Sequence, residues 1–173
     1  MKPSITKLLE LLDKPALLKW ANKIGLEGIR LDDYRSKAKE SGLSLHEEIE
    51  NWLKYKIPSA DAEVQARIEK FFSDKEILAI EKNIETVFFT GRLDIKFKWK
   101  GFVFIADFKS SGKVYLETKI QLAGYKMAEE CDHVAVIHLP ELLIRPIDLM
   151  PEHGDMLIAL SSVYNIKQKL EAK

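Results

Sequence analysis

Apolar residues recur at helical spacing through the front of the chain and at strand spacing through its middle. Residues 4–12 (SITKLLELL) and 15–24 (PALLKWANKI) predict two short helices. Pro15 suits a first helical turn, and Gly25 and Gly28 mark the exit. A third helix is expected over 32–41, broken by Gly42. In LHEEIENWLKYK, Leu45, Ile49, Trp52 and Leu53 form one stripe, with Ser44 as N-cap. Residues 59–72 predict another helix, capped by Ser59.

The period then changes. Residues 77–89 predict one strand or two. In 91–109, Leu93, Ile95, Phe97 and Trp99 alternate with polar residues, the pattern of a half-exposed strand. Lys100-Gly101 is a tight turn, and FVFIADF (102–108) reads as a strand buried on both faces. Helical spacing returns over 115–129, strands follow at 133–139 and 141–149, and residues 154–172 close as an amphipathic helix. The order predicts an α/β fold, a central mixed β-sheet flanked by helices, in one domain (1–173) with a helical part (1–75) and a sheet-bearing part (76–173).

Composition narrows this picture. With 173 residues and 46% hydrophobic content, the chain can bury one sizeable core. No apolar run approaches the ~18 residues of a membrane span, and Glu10 and Asp13 interrupt any signal-peptide core. Cys131 is the single cysteine, which excludes an internal disulfide and a cysteine-held iron–sulfur cluster and fits a reducing cytoplasm. Formal net charge is zero, which excludes a uniformly basic nucleic-acid binder. The balance hides a distribution: residues 91–113 carry six basic against two acidic residues, and residues 58–90 carry four against seven.

The chemistry concentrates in that basic stretch. Asp107 and Lys109 end the buried strand on the same side, and charges there are costly unless paired or bound to something. Asp94 lies on the preceding strand, nearly symmetric with Asp107 about the turn, so the two carboxylates can face each other. Such a pair repels, and a divalent cation such as Mg²⁺ or Mn²⁺ relieves it. The same residues also read as an Asp107–Lys109 salt bridge with an exposed Asp94. Gln121 and Tyr125 share a face of the next helix. His46 and Glu50 are likewise four apart, an arrangement in which a carboxylate orients a metal-binding imidazole. Among the aromatics, Trp20 and Trp52 read as core, and Tyr34 and Tyr55 as candidates for base stacking, with Lys54 and Lys56 beside Tyr55. Ser4 and Thr6 read first as caps of the opening helix, whose N-terminus also suits a phosphate.

Four segments in order, GLSLHEEIE (42–50), GRLD (91–94), ADFKSS (106–111) and QLAGY (121–125), resemble the PD-(D/E)xK nuclease superfamily in its RecB-like exonuclease branch. The opening PSITKLL with KPALLKW is similar to the start of phage exonucleases and of the mitochondrial genome maintenance exonuclease. The resemblance covers most of residues 3–130. It departs from the superfamily where Leu93 replaces the name-giving proline, and from many RecB-like relatives in lacking four cysteines.

The resemblance implies a restriction-endonuclease-like core. It implies His46, Asp94, Asp107 and the carbonyl of Phe108 as ligands of Mg²⁺ or Mn²⁺. Lys109 would orient the attacking water, and Gln121 and Tyr125 would position the strand. Ser4, Thr6, Tyr55, Ser110 and Ser111 would contact substrate. The implied protein is a DNA exonuclease of phage or bacterial type, acting on single strands or ends in the cytoplasm, without a membrane. It is compatible with a monomer and with recombination or replication partner proteins. An endonuclease of the same fold and a non-catalytic nucleic-acid-binding subunit are the alternatives.

Overall fold

The computed structural model describes residues 2–13, 15–27, 45–110, 112–139 and 141–172, with backbone only at 15–18, 20 and 24. The helix expected over 32–41, the Ser44 cap, Gly28, Tyr34 and Ser111 lie outside these residues, as does the Trp20 side chain.

Three helical segments open the described chain: α1 (Ile5–Leu9), α2 (Pro15–Leu26) and α3, seen over residues 45–55. They are followed by α4 (Ala62–Phe72), β1 (Glu76–Glu85), β2 (Thr90–Trp99) and β3 (Phe102–Lys109). Then come α5 (Leu116–Ala128), β4 (His133–His138), β5 (Leu143–Pro146) and α6 (Pro151–Glu171). The five strands form one mixed sheet in the order β1-β2-β3-β4-β5. Only β3 and β4 run parallel, and α5 connects them, because parallel neighbours need a crossover. No described helix is long and apolar enough to cross a membrane.

Local chemistry explains the boundaries. Lys100 and Gly101 both have positive φ, 51° and 88°, which makes the β2–β3 connection a type I′ hairpin turn. Asp61, not Ser59, caps α4: its Oδ1 accepts from Glu63 N at 2.8 Å and Val64 N at 3.2 Å. Ser59 Oγ instead accepts from Asp61 N and sets the approach. Gly25 lies inside α2 and does not end it. The strand expected over 141–149 shrinks to Leu143–Pro146, because Leu142 adopts positive φ and Pro146 has no N–H to give an edge ladder.

Two apolar layers cover the sheet. One packs Ile5, Leu8, Ile105, Val136, Ile120 and Leu157 beneath α1, α5 and α6. The other packs Ile49, Leu53, Ile68, Phe97, Phe104 and Ile137 beneath α3 and α4. Ile5 does more than fill space. A Cβ at Gly91 or at Gly124 would come within 2.9 Å of its Cδ1. The glycines of GRLD and QLAGY therefore both make room for Ile5, which docks α1 against both segments, and Gly124 also admits Leu157 of α6, whose Cδ2 would lie 2.7 Å from its Cβ.

The alternation expected for β2 fails at one point. Leu93 packs into the first layer, whereas Ile95 and Phe97 pack into the second. On β1, Ile84 joins the first layer and Ile80 lies against the second. Residues two or four apart should share a face. Glu81 breaks the period, holding φ at 49°, the left-handed region that is rare for such a residue. The ladder resumes with Lys82 paired to Leu93, so both strands change faces together around Glu81 and Asp94.

Candidate active site

The exchange of faces brings side chains from both layers to one place. Asp94 Oδ2 accepts from Phe108 N at 2.9 Å, so β2 and β3 are fastened by a side chain one step beyond the Ile95–Ala106 pair. That register sets Asp94 beside Asp107, as their symmetry about the turn predicts. His46 comes from α3 with its ring centroid 5.0 Å from that of Phe108 and its Nε2 3.3 Å from Glu81 Oε1. Arg92 Nε lies 2.5 Å from the other oxygen, Glu81 Oε2. One ligand atom from each of His46, Glu81 and Asp94 falls within 4.8 Å of the others.

A second group continues from Asp107. Lys109 Nζ lies 2.6 Å from Asp107 Oδ2 and donates to Gln121 Oε1 at 3.3 Å. Gln121 Nε2 donates to Tyr125 Oη at 2.6 Å. The direction of this chain is forced. Lys109 can only donate, so the amide oxygen faces it and the NH₂ is left for the phenol. The phenol's own hydrogen remains for something else.

Burial makes the site electrostatically tense. The Asp94 carboxyl is pushed well above the ordinary carboxylate range, first by burial and then by the charge of Asp107, against the Phe108 N–H and Lys109. Asp107, 1% exposed, is raised by burial too, with Lys109 pulling the other way. The Tyr125 phenol is raised by burial and then by Asp107 and Asp94, so it keeps its proton at any working pH.

Asp94, Gln121 and Tyr125 form one part of the lining of a cleft of about 630 Å³. Ser4, Thr6, Asn83, Glu85, Thr90 and Arg92 contribute the rest of its polar lining. Ser4 is also the N-cap of α1, its Oγ accepting from Lys7 N at 3.3 Å, and Thr6 is an exposed residue within that helix.

Of the residues singled out in the sequence, His46, Asp94, Asp107, Lys109, Gln121 and Tyr125 come together, and Ser4 and Thr6 join them through the cleft. Phe108 enters by its amide N–H and its ring. Ser110 is exposed in the bend after Lys109. Tyr55 is 65% exposed at the far end of α3 and is not among the cleft residues. The lysines beside it are engaged, Lys54 with Glu50 at 2.6 Å and Lys56 over the Trp52 ring at 5.0 Å. The expected His46–Glu50 pairing is therefore corrected: Glu50 pairs with Lys54, and His46 turns to Glu81. Trp52 packs on Phe72, as a core residue would.

Glu81 is the residue that sequence reasoning missed. The three-residue spacing of Ile77 and Ile80 marks only the register shift before it, and the regular four-residue spacing of Ile80 and Ile84 hides the change of faces at Glu81.

No protein-family profile matches the chain, and no curated protein matches it. A solved structure described as "Crystal structure of SSO0001" aligns with a TM-score of 0.43 and 12% identity, covering 94% of this chain and 75% of that one. That likeness is too distant to carry function.

Proposed function

We propose that the protein is a metal-dependent nuclease whose sheet is a restriction-endonuclease-like PD-(D/E)xK core of the RecB-like branch. In this reading it hydrolyses phosphodiester bonds of DNA single strands or ends. The observation that carries it is the meeting of His46, Glu81 and Asp94 within 4.8 Å, beside the Asp107–Lys109–Gln121–Tyr125 chain.

The residues present fit a divalent cation. Two buried carboxyls raised above their ordinary range gain from a positive charge between them, and oxygen donors with one imidazole suit Mg²⁺ or Mn²⁺. His46, Glu81, Asp94 and the Asp107 oxygen not engaged by Lys109 would hold it; when bound, such an ion supplies Lewis acidity and an activated water.

The chain's own groups do the rest. Lys109, held by Asp107 and Gln121, is a fixed positive charge beside the position of the scissile phosphate, where negative charge builds up. Gln121 hands its NH₂ to Tyr125, which leaves the phenolic hydrogen free to donate to a phosphate or sugar oxygen in the cleft. Arg92 neutralises Glu81 from the solvent side.

The test is digestion of end-labelled DNA and of circular single-stranded DNA with Mg²⁺ or Mn²⁺. Linear substrate should be degraded and circles spared. Cleavage of circles would make the protein an endonuclease, and full activity in both Asp107→Ala and Lys109→Ala would overturn the site.

A further inference from the structure

The turn joining β1 to β2, residues 86–89, is rigid and tied down. Thr86 N donates to Phe89 O at 2.9 Å, and Thr86 Oγ1 accepts from the amides of Phe88 and Phe89, each at 3.2 Å. Ser161 Oγ on α6 donates to Phe88 O at 2.7 Å, and Thr90 N donates to Pro3 O at 2.9 Å. The Phe89 side chain is fully buried beneath the turn. These bonds come from the main chain, Thr86 and Ser161, so the two tip side chains contribute none of them.

Those tip side chains are apolar and open. Val87 is 77% exposed and Phe88 39% exposed. Tight turns ordinarily carry glycine, asparagine or aspartate, whose local hydrogen bonding suits water. Adjacent Val and Phe on this turn leave apolar surface open to solvent, most of it on Val87.

The position of the tip says what it meets. Glu85 and Thr90 flank the turn directly, and both line the cleft whose other part is Asp94, Gln121 and Tyr125, so Val87 and Phe88, themselves outside the lining, adjoin its edge. Thr90 and Asp94 are four residues apart on β2, roughly 13 Å at ~3.3 Å per residue. Ser4, Thr6, Asn83 and Thr90 line the cleft with hydroxyls and an amide, suited to sugar and base edges. A nucleotide needs one further contact, an apolar surface for the face of its base.

We infer that Val87 and Phe88 form that contact: Phe88 stacks on a base of the single strand lodged in the cleft, and Val87 packs at its edge. The inference rests on the nuclease reading and adds how the strand is held. Stacking accepts every base, so the contact sets strand position without sequence preference.

The probe is a single-stranded 12-mer carrying 2-aminopurine at each position in turn, bound in EDTA and again in Ca²⁺. Fluorescence should be quenched at one or two positions, and an abasic site there should weaken wild-type binding about 5- to 150-fold, the range of one base–aromatic stack. Val87→Ser/Phe88→Ser should bind intact and abasic strands equally while still melting cooperatively, and Phe88→Trp should keep the difference. Equal wild-type affinity for intact and abasic strands overturns the inference and leaves the nuclease reading standing. Wild type that neither binds nor cleaves any strand overturns both.

Discussion

His46 Nε2 lies 3.3 Å from Glu81 Oε1, joining a helix of one layer to the point where β1 changes faces. This contact makes Glu81 part of the site and removes Glu50 from it. Glu81→Gln should therefore weaken Mn²⁺ binding by at least about 10- to 100-fold, the cost of losing even an outer partner of a metal ligand. Glu50→Gln should leave it unchanged. Isothermal calorimetry on the two variants separates the roles, and equal affinities would remove Glu81.

Lys109 and Asp107 pair at 2.6 Å, with Asp107 1% exposed and the Lys109 side chain 32% exposed. Lys109→Ala strands a buried carboxyl, so the fold should lose about 3–5 kcal/mol or take up a proton. Turnover should fall about 100- to 1,000-fold, the scale of one charge stabiliser in a closed site. Asp107→Asn/Lys109→Met should recover most of the stability in urea melts and none of the activity. Recovered activity would take Lys109 out of the chemistry.

The raised Asp94 carboxyl has a defined consequence for stability. Its folded-state value lies above the ordinary 3.8, so the folded state holds the proton more tightly than the unfolded one. That contribution is present in full below the ordinary value and is lost as pH rises through the folded value. Asp94→Asn keeps an acceptor for the Phe108 N–H and removes the buried charge. In EDTA the Asn variant should melt above wild type at pH 8, by ~2–4 °C per kcal/mol, and the gap should close toward pH 4. Mn²⁺ should raise only the wild type. A gap that does not change with pH would place its origin elsewhere.

Gly91 admits Ile5 at a distance that a Cβ would close to 2.9 Å. Gly91→Ala should cost about 1–3 kcal/mol through overpacking. Ile5→Val removes the Cδ1 atom that is struck, so the double variant should be less destabilised than the sum of the singles. Simple additivity would mean that α1 does not dock through this contact.

Much of this was legible along the chain. An apolar run ended by Asp107-Phe108-Lys109 reads as a buried strand with its two charges on one side of its end. The four-residue spacing of Gln121 and Tyr125 placed both on one helical face, and symmetry about Lys100-Gly101 set Asp94 near Asp107. These are consequences of periods of 2 and 3.6, which act within a segment and need no knowledge of the rest.

The sequence by itself thus determined the α/β order of elements, the hairpin that aligns two carboxylates and the helix face that answers them. The tertiary structure decided what those periods do not carry. It gave His46 to Glu81 and Glu50 to Lys54. It turned Leu93 away from Ile95, and it made Gly91 and Gly124 neighbours through Ile5. Each of these depends on a left-handed residue inside a strand or on packing between distant segments. The left-handed angle at Glu81 accompanies the change of faces on β1, and the carboxylate it carries meets Arg92 on one side and His46 on the other.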